Sequence, residues 1–182
     1  MLRSRYALVT YVRNSVGQFV EDLRRELHPR TAHMAAHVTI LPPRQLCGTE
    51  SAAREFLEEA CSRIIPFDID LGDVATFLPV TPTVFIEVNR ATTHLQALHD
   101  QLSADALCSA EEWPFCPHLT IAKMDSGEQA REAYEVSRAR WARFDGQRQI
   151  HVSELMFVQE LDGDWHDVAP VPLGRGLLSS RT

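Results

Sequence analysis

The sequence contains the pattern His-x-Thr-Ile twice, and these residues are the strongest candidates for chemistry. The first copy runs from His37 to Ile40 and the second from His118 to Ile121. Side chains alternate between the two faces of a strand, so the histidine and the threonine of each copy share one face while the apolar residues point to the other. Each copy therefore offers one imidazole beside one hydroxyl, and the repetition predicts a paired site.

Two imidazoles that face one ligand can act together as a general base and a general acid. Histidine titrates near pH 6.5, so one ring can accept a proton while the other donates one. His37 and His118 are the predicted pair. The hydroxyls of Thr39 and Thr120 could donate to phosphate oxygens and hold the phosphorus between the rings. This combination suits in-line displacement at a phosphodiester and demands no metal ion or other cofactor.

The elements that must position these residues repeat in the order strand, helix, strand. In the first half, an apolar strand from Tyr6 to Val12 and a helix over 16–27 precede the first motif. In the second half, a strand from Thr83 to Val88 and a helix from Leu95 to Leu102 precede the second motif. Two such units predict a pseudo-twofold relation that brings the two histidines to opposite sides of a central groove.

Further elements are predicted after each motif. These are a helix over 53–64 with a strand over 67–71, a helix over 130–144 with a strand region over 149–160, and a hairpin whose Asp162-Gly163 turn returns over 165–168. The predicted fold class is α+β, with the duplicated units forming two small antiparallel sheets around the groove and helices outside. Residues 1–182 are predicted to form one bilobal domain with a flexible tail from about 174 to 182.

Composition limits the classes of partner. The chain has 182 residues, 45% of them hydrophobic, and a net charge of -7. The negative charge argues against a broad surface that holds duplex DNA nonspecifically. No stretch reaches the roughly 20 apolar residues that span a bilayer, and the N-terminal residues lack the features of a signal peptide. We therefore expect a cytoplasmic monomer with no membrane partner, and the charge still allows a small phosphorylated ligand in a local pocket.

The cysteines and the remaining histidines are expected to have structural roles. The four cysteines show no Cys-x-x-Cys spacing and are expected to be reduced thiols. His33 and His37 are four residues apart, but a strand at the motif would separate them, so no metal site is predicted. His94 and His99 are expected on the exposed face of their helix.

Residues near the motifs are candidate ligand contacts. Arg44 and Lys123 could each contact phosphate, and Lys123 reaches the face of the second motif only if a register break intervenes. Phe77, Trp113 and Phe115 could stack on a nucleobase. Alternatively, these three rings could pack in the hydrophobic core.

The duplicated motifs resemble those of the two-histidine (2H) phosphoesterase superfamily, and their surroundings are similar to its 2′-5′ RNA ligase and cyclic phosphodiesterase branch. The segments that carry the resemblance are 36–43 (AHVTILPP) and 115–122 (FCPHLTIA). It covers nearly the whole chain, from about residue 6 to residue 173. The resemblance implies a bilobal α+β fold and metal-independent cleavage of 2′,3′-cyclic phosphates or 2′-5′ bonds in a small nucleotide or an RNA end. Members of this family that act on nucleic acid usually have basic residues around the groove, and because this chain is acidic overall, RNA ligation is not expected.

The resemblance also implies roles for the motif residues. It makes His37 and His118 the acid/base pair and makes Thr39 and Thr120 phosphate-binding residues. A different class of function uses the same residues, because a groove of this kind could hold a nucleotide or phosphorylated metabolite without turning it over. Product formation from 2′,3′-cyclic nucleotides separates the two, since a binding module shows stabilisation by ligand without hydrolysis.

Overall fold

A computed structural model describes residues 4–31, 33–90, 92–161 and 164–175 of the chain. In chain order, its helices and strands are β1 (Arg5–Tyr11), α1 (Ser15–Leu27), β2 (His37–Arg44), α2 (Glu50–Ser62), β3 (Phe67–Thr76), β4 (Thr83–Arg90), α3 (Thr92–Leu102), β5 (His118–Lys123), α4 (Gly127–Ala142), β6 (Gln149–Val152), β7 (Glu154–Leu161) and β8 (Asp164–Pro172). The strand-helix-strand order predicted around each motif is present as β1-α1-β2 and β4-α3-β5.

The strands form one eight-stranded antiparallel sheet in the order β6-β3-β4-β5-β2-β1-β7-β8. The α+β class is confirmed. The two small sheets that the sequence predicted are four-stranded halves of this one sheet, because β2 and β5 pair at its centre through Val38 and Leu119. Each half runs outward from its motif strand to the first strand of the same unit, and then to strands from elsewhere in the chain.

The helices of the two units cross to the opposite halves. Helix α1 packs against β5, and α3 packs against β2. The main core lies between helices and sheet, and it contains the apolar residues of both motifs, which are Val38, Ile40, Leu119 and Ile121. Burial of these side chains leaves the histidines and threonines on the other face of the sheet, as the alternation predicts.

Local sequence signals explain where the helices begin. The side chains of Asn14, Thr49 and Ser126 accept hydrogen bonds from the first backbone N–H groups of α1, α2 and α4. At Gly17 in the first turn of α1, an added Cβ would lie 1.7 Å from the carbonyl oxygen of Val12. Glycine is required there because it lets α1 begin directly against the end of β1.

The last third of the chain differs most from prediction. The strand region 149–160 divides into β6, which pairs with β3, and β7, which pairs with β1, so its two parts belong to opposite halves. Strand β8 is longer than the predicted 165–168. The predicted turn residues Asp162 and Gly163 and the tail residues 176–182 lie outside the described residues, whereas Gly174 N–H donates to the Cys61 carbonyl at 3.1 Å.

The cysteine prediction is wrong for one pair. Cys47 and Cys108 form a disulfide, while Cys61 is a buried thiol and Cys116 an exposed one. The pair is brought together because the segment after β2 lies against the 3₁₀ turn at 105–107, where Cys47 N–H donates to the Ala106 carbonyl at 2.8 Å. Sequence spacing could not reveal this long-range contact. Within the described ranges, every helix is too short or too polar to cross a membrane.

Candidate active site

The two motifs begin the two central strands and meet across them. Val38 lies opposite Leu119 in the antiparallel pair β2–β5. In antiparallel pairing the flanking residues cross over, so His37 lies on the side of Thr120 and Thr39 on the side of His118. The structure therefore brings both predicted histidines and both predicted threonines to one face at the centre of the sheet.

A β-bulge interrupts each central strand directly after its threonine. The pairing of β2 with β1 skips Ile40, and the pairing of β5 with β4 skips Ile121. An extra residue of this kind changes which face the following side chains point to. This is the register break that the sequence required for Lys123, and Lys123 lines the same groove as Thr120.

The two imidazoles are held in the same way. His37 Nδ1 lies 2.8 Å from the carbonyl oxygen of Ala35, and His118 Nδ1 lies 2.7 Å from that of Cys116. A carbonyl oxygen can only accept, so Nδ1 carries the proton in both rings. In the neutral ring, Nε2 is then the acceptor that can take a proton from a reacting group.

Aromatic side chains contact both rings. The ring of His37 packs on Trp165 with 4.8 Å between centroids. The ring of His118 meets Phe77 at 4.9 Å and Phe85 at 5.1 Å. The sequence singled out Phe77 but missed Trp165 and Phe85, because their positions depend on the pairing of distant strands.

This environment favours neutral imidazoles. The pKa of His37 falls from 6.5 to about 4, mainly because burial penalises the charged ring and also because Arg24 and His118 add positive charge nearby. Burial also lowers the pKa of His118. Both rings are thus in the proton-accepting form at neutral pH, and a bound anion would raise both pKa values.

A groove of about 840 Å³ opens beside the motifs on the side of His118. Thr39, Thr120 and His118 lie along it, and its other walls come from the segments 42–44, 77–83 and 109–116. Much of this lining is apolar, and its charged residues are Lys123 and Arg44 with the carboxylates of Glu111 and Glu112. The volume is that of a pocket for a small ligand.

Arg44, a predicted phosphate contact, is buried beside the groove and held by protein acceptors. Its guanidinium donates to Ser103 Oγ at 2.8 Å, to the Leu107 carbonyl at 3.0 Å and to the carboxylate of Glu111. These bonds tie β2 to the 109–116 wall of the groove. They also argue against the predicted contact with phosphate, since the donors already have partners.

The prediction that His99 is exposed is wrong. His99 is 5% exposed, and its Nδ1 lies 2.7 Å from the carbonyl oxygen of the bulge residue Ile40. Its Nε2 lies 3.3 Å from the Glu111 carboxylate, and its ring stacks on Phe115 at 4.1 Å. Phe115, a predicted base contact, therefore has one face covered by His99. His99 lies four residues after Leu95 and three before Leu102, so it shares their buried side of α3, and this spacing could have corrected the prediction.

The chain is similar to a known protein family and to proteins of the same fold. The model of a family described as "2'-5' RNA ligase superfamily" matches residues 12–164. A "Putative phosphoesterase" of Bacillus thuringiensis is 26% identical over 171 residues, covering 93% of this chain and 96% of that protein. Another of the same description from Bacillus pumilus is 23% identical over 162 residues, covering 88% of this chain and 92% of that one.

Solved structures share the fold. The E. coli LigT structure complexed with phosphate matches with a TM-score of 0.63 at 16% identity, covering 93% of this chain and 97% of that one. The complex of LigT with 3′-AMP matches with a TM-score of 0.61 at 15% identity, covering 93% and 98%. TT0787 of Thermus thermophilus matches with a TM-score of 0.62 at 14% identity, covering 93% and 98%.

Proposed function

This chain belongs to the 2′-5′ RNA ligase superfamily and is a phosphoesterase of the two-histidine type, and on that premise we propose that it hydrolyses 2′,3′-cyclic phosphates or 2′-5′ phosphodiester bonds of nucleotides or RNA ends. One observation carries the proposal. His37 and His118 lie on one sheet face with each Nδ1 bonded to a main-chain carbonyl, so the Nε2 atom of each ring can exchange a proton.

The two rings take complementary roles in this reaction. His37, whose pKa is lowered by burial and by the charges of Arg24 and His118, suits the general base. Its Nε2 takes a proton from water as the water oxygen forms a bond to phosphorus. His118, protonated at Nε2 once the substrate anion has raised its pKa, gives that proton to the departing ribose oxygen as the phosphorus–oxygen bond breaks.

The threonines and the nearby lysine support the phosphate group. Thr39 and Thr120 lie beside the histidines, where their hydroxyls can donate to the non-bridging phosphate oxygens. Lys123 follows the bulge of β5 into the same groove, so its charge favours an anion there. This set of residues needs no metal ion for the acid/base step, so activity should persist in the presence of a chelator.

The groove on the His118 side suits the nucleoside part of the substrate. Val80 and Trp113 are 61% and 60% exposed, and both lie on its walls. Exposed apolar side chains at a groove are typical of ligand contacts, and stacking of a base on an aromatic ring contributes roughly 1 to 3 kcal/mol. The complexes of LigT with phosphate and 3′-AMP make phosphorylated nucleosides the first ligands to test.

The proposal is tested by following products from a substrate panel. The panel contains the four 2′,3′-cyclic nucleotides and 2′-5′-linked dinucleotides, with 3′-5′-linked dinucleotides as the comparison, all assayed with EDTA by chromatography. We expect phosphomonoester products from at least one cyclic or 2′-5′ substrate. His118→Ala should lose this activity, and His94→Ala should keep it, because His94 is exposed on α3.

Two results would overturn the proposal. Loss of activity with EDTA and its recovery with zinc would contradict a metal-independent mechanism. Stabilisation of the protein by a cyclic nucleotide, with no product from any member of the panel, would identify a binding module instead.

A further inference from the structure

We propose that Arg24 is a positioning residue that fixes the placement of the two imidazoles relative to each other. The inference rests on the proposed function, and it concerns a residue on the helix side of the sheet. Arg24 lies on the inner face of α1 and is only 4% exposed. A long cationic side chain is seldom buried to this extent unless its donors are satisfied.

The guanidinium bonds to the strand of the second motif. Its Nε donates to the Ile121 carbonyl at 3.0 Å, and its Nη2 donates to the Thr120 carbonyl at 2.7 Å. Ile121 is the bulge residue of β5, where regular pairing with β4 is interrupted. Arg24 therefore stabilises the irregular backbone directly after His118 and Thr120, and with it the direction in which Thr120 points.

The same guanidinium also bonds to the segment that leads into the first motif. Its Nη1 donates to the Met34 carbonyl. One turn earlier on α1, Glu21 accepts the backbone N–H of Ala36 at 2.8 Å. Between these two anchored residues lies Ala35, whose carbonyl holds His37 Nδ1. Glu21 and Arg24 thus fix both sides of the residue that orients the His37 ring.

Arg24 is consequently a direct link between the two motifs. The sheet joins them through the pair Val38–Leu119 at the centre of β2 and β5. Arg24 adds a second connection, which runs from the Thr120 and Ile121 carbonyls through one rigid planar group to Met34. A guanidinium offers this fork of donors, whereas a lysine ammonium offers the charge without the fixed geometry.

The buried charge acts on the chemistry as well. Arg24 lowers the pKa of His37 and so favours the base form of that ring. Two substitutions separate this effect from the geometric one. Arg24→Lys keeps the charge and loses the fork, while Arg24→Met removes both. Arg25 is the matched control, because it lies next to Arg24 on α1 but is exposed and bonds to Asp22 at 2.7 Å.

The experiment measures kcat, KM and the His37 titration in Arg24→Lys, Arg24→Met and Arg25→Met. With the 2′,3′-cyclic nucleotide that the wild type hydrolyses best, Arg24→Met should lower kcat by about 10- to 100-fold with KM within about threefold, since misplacement of reacting groups affects mainly the chemical step. Arg24→Lys should recover part of kcat. By NMR, the His37 titration midpoint should rise in Arg24→Met and stay near the wild-type value in Arg24→Lys.

The outcomes are distinguishable from failure of the proposed function. If wild type turns over no substrate, the proposed function fails, while the His37 titration in the folded variants still tests the link. If Arg24→Met does not fold, Arg24→Lys carries the test. The inference is overturned if both variants keep kcat within twofold of Arg25→Met, or if the His37 titration in Arg24→Met matches the wild type.

Discussion

The two halves of the sheet are alike on the groove face and different behind it. On the groove face, each half presents a histidine bonded to a carbonyl and a threonine before a bulge. Behind the bulge of β5, Arg24 donates to the main chain, whereas behind the bulge of β2 the donor is His99. Chemistry at phosphorus requires particular side chains, but support of a bulge requires only some donor that reaches the free carbonyl.

The two halves of the sheet also differ in what surrounds their histidines. Beside His118 the surface is open and lined by exposed side chains such as Trp113. Beside His37, Trp165 packs on the ring, next to a small cluster that buries Val9 and Val158. The two halves therefore differ beside their histidines: the groove lies on the His118 side, whereas one face of the His37 ring is covered by Trp165.

The largest expected effect tests whether both halves are needed for catalysis. His37→Ala and His118→Ala should each lower kcat by about 10² to 10⁴, because each removes one proton-transfer group. The double variant should be little worse than the more damaged single variant, since the two rings act as a unit. The measurement is steady-state hydrolysis of a cyclic nucleotide. A single variant within tenfold of wild type would show that one half is dispensable.

A smaller effect is expected from the threonines, and it compares the halves directly. Thr39→Val and Thr120→Val keep the side-chain shape and remove one hydroxyl donor each, so kcat/KM should fall by about 10- to 100-fold for both. Thr93→Val on the exposed face of α3 is the control. Unequal losses would assign phosphate binding mainly to one half, and no loss in either variant would contradict the role of both hydroxyls.

Replacement of His99 tests the support behind β2. His99→Phe leaves the Ile40 carbonyl and the Glu111 carboxylate without the imidazole, so the free energy of unfolding should fall by about 1 to 3 kcal/mol. His94→Phe, on the exposed face of the same helix, should change it little. Urea unfolding measures both variants. Equal stabilities would show that His99 is not needed to hold the bulge.

The pH dependence of stability sharpens the same comparison at the two catalytic rings. His37 has a pKa of about 4 in the folded protein and about 6.5 when unfolded. Between these values the unfolded chain binds a proton that the folded protein does not, so the free energy of unfolding falls as pH decreases from 6.5 toward 4. His37→Asn should flatten this dependence, and His118→Asn should flatten it less. Urea unfolding at pH 7, 6 and 5 gives the free energy of unfolding of each variant and its slope with pH. A slope in His37→Asn equal to that of the wild type would contradict the prediction.

The sequence alone placed the residues of the groove face correctly. His37, Thr39, His118 and Thr120 share one face because side-chain alternation along a strand is a local property. The strand-helix-strand order could be predicted for the same reason, since the apolar spacing of α1 and α3 is visible in single segments. The resemblance to the two-histidine superfamily depended on these local patterns, and the family match confirms it.

Only the tertiary structure decided what surrounds those residues. Trp165 reaches His37 because β8 pairs with β7 and β7 with β1, and Arg24 reaches Thr120 because α1 crosses to the opposite half. The disulfide of Cys47 with Cys108 and the union of two predicted sheets have similar origins. Such contacts join residues far apart in the chain, and they are fixed by which packing buries the whole core best, a property that no short window of sequence contains.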